Sequence, residues 1–314
     1  MRRFALIASI LVLAAACDKQ SEAPRAAAQG PGFTDLSTSP TILFTVFGPR
    51  ETPKLAPIAV VTPSGLSPIV LDDAGWRTLD SLYFPAGRKM ALYRNGASLG
   101  ELEIVRGMWP ADSAPLYEVP GCSSVVPQAL ARLSDPGNYE ETVELLASSS
   151  PLPQPTDTRP FPPDPEAQGR TLASAVAAAA DIGPEDLNGL DYHARWLRTG
   201  VGANGRTLLA SYIDPQAGDL GPGAGSTAVL VLLAEDSAGV FNTSFQHARV
   251  GEARSVDFRR IITYADLDGD GKSEILMEQW RYAAIPSLVL LKHDGTRWKD
   301  VFSISAEWCT DRAR

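Results

Sequence analysis

The clearest capacity for chemistry lies in nine residues, Asp266 to Glu274, which read DLDGDGKSE. Carboxylates at the first, third and fifth positions, Asp266, Asp268 and Asp270, can converge on one cation if the backbone curls around it. Gly271 at the sixth position permits the sharp turn, Lys272 at the seventh offers its carbonyl, and Glu274 at the ninth closes the ring directly or through water. Hard oxygen donors without His or Cys select Ca²⁺ over zinc or copper. The bland reading is a solvated acidic turn that binds nothing. It leaves four carboxylates within nine residues to repel one another, so calcium is the expected cofactor. Position 12 is Met277 and the flanks read as strands, which sets the loop apart from an EF-hand.

A second stretch, GVGANG at residues 200–205, fits the spacing G-x-G-x-x-G that cradles a dinucleotide pyrophosphate. Such a loop needs a helix after its third glycine, with a carboxylate about 20 residues on. Asp219 stands near that distance, but RTLLASYID alternates like a strand and carries no helix-start signal. A glycine-rich hairpin turn is expected, with no nucleotide. The three histidines, His193, His247 and His293, fall on three separate expected strands, and no HExxH, GxSxG or CxxC pattern occurs. The aromatic residues Trp280, Tyr282, Trp298 and Trp308 read as packing for a sheet face, with a sugar-stacking platform as the sharper alternative.

The elements that must position these loops form a repeat. HARWLRT, GVGANG, RTLLASYID, TAVLVLLAED and VFNTSFQ share their order with RRIITYA, DLDGDG, KSEILMEQW, SLVLLKHD and RWKDVFSIS. At an offset of 66, Asn204-Gly205-Arg206-Thr207 falls on Asp270-Gly271-Lys272-Ser273. Two tandem four-stranded antiparallel meanders follow. The acidic loop and its strands, residues 260–302, resemble the calcium hairpin of FG-GAP and VCBS-type repeats, D-x-D-x-D-G-x-x-[DE]. The resemblance implies propeller-blade-like units and, as calcium ligands, Asp266, Asp268, Asp270, the Lys272 carbonyl and Glu274. Two such units fall short of the typical 4–8 blades of a closed propeller, so a two-sheet β body is expected.

Upstream, TILFTVFG, APIAVVTP, SPIVLDD and MALYRNGASLGELEIVRG predict a small β-rich unit over 41–126, with a hairpin at Asn95-Gly96. QALARL and NYEETVELLAS predict short helices within 127–150, the second capped by Asn138. Residues 151–165 hold seven prolines in fifteen positions and read as a linker. Asp164-Pro165 starts an expected helix, EAQGRTLASAVAAAADI, stopped at Gly183-Pro184. The remainder of the 166–314 unit is expected to be β. The fold class is mainly β with a few helices.

The chain opens MRRFALIASILVLAAAC. Arg2 and Arg3, a short apolar run and small residues before Cys17 predict a signal peptide over 1–16. Leu13-Ala14-Ala15-Ala16-Cys17 resembles the lipobox of bacterial lipoproteins. That implies a diacylglycerol, with palmitate-type chains, on Cys17 as the mature N-terminus; plain signal-peptidase cleavage is the alternative. Asp18 resembles an inner-membrane retention signal, and either membrane stays open. Residues 17–40, rich in Ala, Pro, Ser and Gly, read as a tether. Removing the leader leaves 26 basic against 37 acidic side chains, net −11, which disfavours nucleic acid or anionic lipid held through a broad basic face. With Cys17 lipidated, Cys122 and Cys309 remain as a candidate periplasmic disulfide or as two free thiols.

The expectation is an exported, lipid-anchored protein of a bacterial cell envelope, facing the periplasm. It would be a non-enzymatic module that binds or scaffolds an envelope protein or glycan, with a structural calcium site. The competing expectation is an envelope hydrolase whose site forms between the two β units.

Overall fold

The computed structural model describes residues 33–62, 65–107, 127–154, 160–161, 165–214, 223–284 and 286–305. Cys17, Cys122, Trp308 and Cys309 lie outside the described residues, as do the signal peptide and Asp164. Among the described residues no helix is long and apolar enough to cross a membrane.

The N-terminal half contains β1 (Thr41–Pro49), β2 (Lys54–Thr62), β3 (Gly65–Ser67), helix α1 (Asp73–Tyr83), β4 (Lys89–Arg94), β5 (Ala97–Gly107), β6 (Ala129–Leu133) and β7 (Thr142–Ser148). Their antiparallel pairings run β1-β7-β4-β5-β6-β2 and return from β2 to β1, so six strands close a ring and β3 extends β2 outside it. Alternation decides what the ring encloses. Ile42, Phe44 and Val46, Leu92, and Leu145 and Ala147 point into one core, together with Leu79, Tyr83 and Phe84 from α1 and its end. The intervening residues Leu43, Tyr93 and Leu146 point outward into a second core. Strands buried on both faces read as nearly continuous apolar runs, as TILFTVF does.

Helix α1 was not expected from the sequence. Its N-cap Asp72 accepts a 2.8 Å bond from the Gly75 amide. Leu79 and Tyr83, one turn apart, bury one face, and Phe84-Pro85 ends the helix because proline disfavours helical geometry in the residue before it. The two helices expected within 127–150 are strands β6 and β7, separated by a 3₁₀ turn at Pro136–Asn138 that takes in the expected cap, Asn138. QALARL is built of good helix formers, yet Ala129, Ala131 and Leu133 are buried on alternate positions while Arg132 is exposed. Pairing of β7 with both β1 and β4 overrides its local preference. The β unit therefore extends to Ser148 rather than stopping at 126. The expected tether is shorter too, since Leu36 is buried in the barrel core and Thr34 bonds both backbone groups of Val70. The start of the expected linker is likewise fixed: Leu152 is buried, and its amide donates to Tyr93 Oη at 2.6 Å.

The second half begins with α2 (Pro165–Ala179), the helix expected after Asp164-Pro165; beyond it, where only strands were expected, stands one turn of helix, α3 (Pro184–Leu187). Then β8 (Asp191–Leu197), β9 (Thr207–Ile213), β10 (Gly225–Glu235) and β11 (Phe241–Glu252) form one four-stranded antiparallel meander. β12 (Phe258–Ala265), β13 (Glu274–Trp280), β14 (Ser287–His293) and β15 (Trp298–Ser305) form another. Both are the meanders expected from the repeat.

Side-chain parity sets the stacking order. In the second meander Leu276, Leu288 and Leu290 face the outer surface of the barrel, meeting Leu43, Ile58 and Leu146. Their neighbours Ile275, Met277, Val289 and Leu291 face the first meander at Leu209, Leu230 and Leu232. The far side of that sheet, Leu208, Ala210, Val229 and Val231, takes Ala173 and Ala177 of α2. The order is barrel, second meander, first meander, helix. Each fully buried Leu or Ile in these interfaces contributes about 1.5–3 kcal/mol, so the second meander is held from both sides.

Candidate metal centre

The acidic loop joins β12 to β13, between the barrel and the first meander. Leu267, inside the loop, is 3 % exposed and belongs to the core shared with the barrel. This anchor points one residue of an otherwise polar loop inward and fixes its path.

Asp266 organises the backbone. Its two carboxylate oxygens accept from the amides of Gly269 (2.8 Å) and Gly271 (3.0 Å), and both glycines have positive φ, 82° and 83°, which lets the amides turn inward. Glu274 Oε2 accepts from the Leu267 amide at 2.9 Å, and Asp270 Oδ1 from the Lys272 amide at 2.8 Å. Ligand oxygens of Asp266, Asp268 and Glu274 come within 4.8 Å of one another, and this buried acidic cluster could hold a metal ion. Asp270 falls outside that trio, and Lys272 contributes its amide to Asp270.

Electrostatics mark the cluster as short of positive charge. Burial pushes the Glu274 carboxyl up to about 7, against the pull of the Leu267 amide and with the Asp268 charge adding to the rise. Burial likewise raises Asp266, more than its two backbone bonds lower it. Asp270 is held below its ordinary value: burial opposes this, but the Lys272 amide and the Lys292 ammonium prevail. Asp268 Oδ1 is buried without a hydrogen-bond donor.

Lys292 was not singled out in the sequence. It sits on β14 one step beyond the Ile275–Leu291 pair, which brings it across from Glu274. Its Nζ contacts Asp268 Oδ2 and lies 3.1 Å from Asp270 Oδ2 and 3.2 Å from Glu274 Oε1. Burial works against its charge, but these three carboxylates hold the ammonium well above the usual lysine value. Only the lone basic residue in SLVLLKHD hinted at it.

The glycine loop lies directly against the acidic one. An ideal Cβ on Gly200 would stand 2.2 Å from the Gly271 carbonyl oxygen, and the Ser273 amide donates to the Thr199 carbonyl at 2.7 Å. Inside its own turn the Ala203 amide donates to Glu235 O and Asn204 Nδ2 to Glu235 Oε2, both at 2.7 Å. Strand β9 follows the third glycine, the place where a dinucleotide loop requires a helix.

None of the three histidines belongs to the acidic trio. His193 is exposed on β8. His247 is buried with Nε2 2.7 Å from the Asp257 carbonyl, and His293 packs edge-on against Trp298 with ring centroids 5.4 Å apart. Trp298 is buried and Trp280 stacks on Phe258 at 5.5 Å, both as sheet packing. Comparison of the chain with protein-family models, curated proteins and solved structures gives no match.

Proposed function

We propose that the loop from Asp266 to Glu274 binds a structural Ca²⁺, and that the protein is an exported envelope lipoprotein serving as a non-enzymatic binding or scaffolding module. The carrying observation is the convergence of Asp266, Asp268 and Glu274, with one buried carboxylate oxygen, Asp268 Oδ1, left without a donor. Asp270 and the Lys272 carbonyl complete the proposed ligand set from the same nine-residue curl. Oxygen donors alone, on a loop turned by glycines, suit Ca²⁺ at 2.3–2.6 Å better than a softer metal. The role is structural because Leu267 ties the loop to the core shared with the barrel. An ion that tightens the loop therefore tightens the contact between the two halves. The anchor reading rests on the lipobox-like Leu13–Cys17 segment, and the non-enzymatic reading on the lack of a catalytic sequence motif.

The test is a thermal melt of wild type and Asp268→Ala, each in Ca²⁺ and in EDTA. At about 1 mM Ca²⁺ and a Kd of about 10 µM, binding adds about 2.7 kcal/mol, a rise of about 5–10 °C in Tm for a domain of this size. Wild type should show the rise and Asp268→Ala should lose it. An unshifted wild type would remove calcium from the account, and a shift that survives in the variant would move the ion elsewhere.

A further inference from the structure

A Ca²⁺ in this loop and the ammonium of Lys292 need the same oxygens. Nζ contacts Asp268 Oδ2 and stands within 3.2 Å of Asp270 Oδ2 and Glu274 Oε1. A calcium ion bonds such oxygens at about 2.3–2.6 Å, so the two cations cannot share them. The geometry of approach differs between the partners. The Glu274 side chain is 1 % exposed and that of Asp268 9 %, whereas that of Lys292 is 30 % exposed. The carboxylates form the floor and the ammonium enters from the solvent side, on a flexible four-carbon stem with a freely rotating head. Swinging the stem outward requires no movement of β14, whose Leu291 and His293 stay buried on either side.

The lysine also fails to satisfy the site fully. Asp268 Oδ1 keeps no donor while Nζ is in place, and an unsatisfied buried acceptor retains a desolvation cost. One monovalent cation among four carboxylates leaves capacity that a divalent ion with more coordination positions can use.

We infer that Lys292 is a built-in competitor for the metal centre: it fills the cluster when no ion is bound and is displaced outward when Ca²⁺ enters, so that it sets the calcium concentration at which the loop changes hands. This rests on the calcium reading above. The lysine keeps the loop folded before the protein meets the ion, and it discriminates among ions. A monovalent cation brings no more charge than Lys292 already supplies, and Mg²⁺ gives up its water reluctantly and demands near-octahedral geometry. Of these, Ca²⁺ alone displaces it efficiently.

Two measurements on the full chain test this. The first compares Ca²⁺ affinity by calorimetry in wild type and Lys292→Met, which keeps the apolar stem and deletes the charge. If the lysine closes the site in about nine molecules of ten, removing it tightens Kd about tenfold, because apparent affinity scales with the fraction of competent sites. The second follows acylation of Lys292 by an amine-reactive acetylating reagent, read by mass spectrometry on wild type in EDTA, in Mg²⁺ and in Ca²⁺. Lys89, whose side chain is 65 % exposed, is the internal reference. Ca²⁺ should speed Lys292 modification severalfold relative to Lys89, and Mg²⁺ should not. The labelling needs no variant, so it decides the matter if Lys292→Met fails to fold without calcium. Equal affinities with unchanged labelling would overturn the competition while leaving the calcium site standing. Binding by Lys292→Met alone would mean that the lysine has replaced the metal for good, overturning both the exchange and the calcium reading for wild type. No binding by either protein would overturn both as well.

Discussion

Replacing Gly200 by alanine tests the contact between the twin loops. Two costs add. Gly200 has φ of 71°, and an L-residue in left-handed geometry costs about 1–2 kcal/mol. Its new methyl would then stand 2.2 Å from Gly271 O, and the obstruction is backbone, which no rotamer change can relieve. Separating the loops endangers the 2.7 Å bond from the Ser273 amide to Thr199 O, in a region where Thr199 and Thr207 are fully buried. Losing a buried backbone pair costs about 1–3 kcal/mol. The sum is about 2–5 kcal/mol, read from urea unfolding followed by tryptophan fluorescence. Gly87→Ala is the control: its φ of 82° is equally unfavourable, but nothing lies within 4 Å of the added Cβ. It should show the conformational cost alone. If Gly200→Ala costs no more than Gly87→Ala, the loops do not press on each other as described and the reason given for glycine at 200 is wrong.

Two further outcomes are expected. Burial holds His247 below its ordinary value of 6.5, more strongly than its bond to Asp257 O raises it. The unfolded chain therefore takes up a proton near pH 6.5 that the folded chain refuses, and the His247 contribution, full above that pH, should be lost as the pH falls below it. His247→Gln should flatten stability between pH 7 and 5 in denaturant titrations; an unchanged slope would exonerate the imidazole. Arg260 bridges the barrel and the second meander, reaching Glu144 with two nitrogens and Glu278 through Nε at 2.7 Å. With side chains 34 %, 30 % and 16 % exposed, solvent screens the cluster, so Arg260→Met should cost about 1–3 kcal/mol. A double-mutant cycle with Glu144→Gln that yields no coupling would refute the bridge.

The parts of this fold legible in the sequence are those whose partners lie nearby along the chain. Each strand of the two meanders pairs with its neighbour along the chain, and the loops at 200–205 and 266–274 announce themselves by glycine spacing. The barrel is different. Strand β7 reaches back to Leu43 and Val46, and nothing local in TVELLAS reveals that, so its helix formers mislead. Helix α1 could have been found from Trp76, Leu79 and Tyr83, spaced three and four apart after the capping Asp72. At the metal centre the spacing of Asp266, Asp268 and Glu274 was sufficient to bring them together, because one loop carries all three. Lys292 depends on the register of β13 against β14, a property of the folded sheet that no motif in the loop encodes.

The tip of the β4–β5 hairpin has an effect beyond its own sheet. Its Asn95 amide donates to Thr263 Oγ1 at 2.9 Å and its Gly96 amide to Tyr264 O at 2.6 Å, on the outermost strand of the second meander. An unpaired rim of that kind is where a foreign strand would otherwise add and where aggregation starts. The barrel thus acts as a guard on its neighbour, and shortening that hairpin would expose a sticky flank before it unfolded anything.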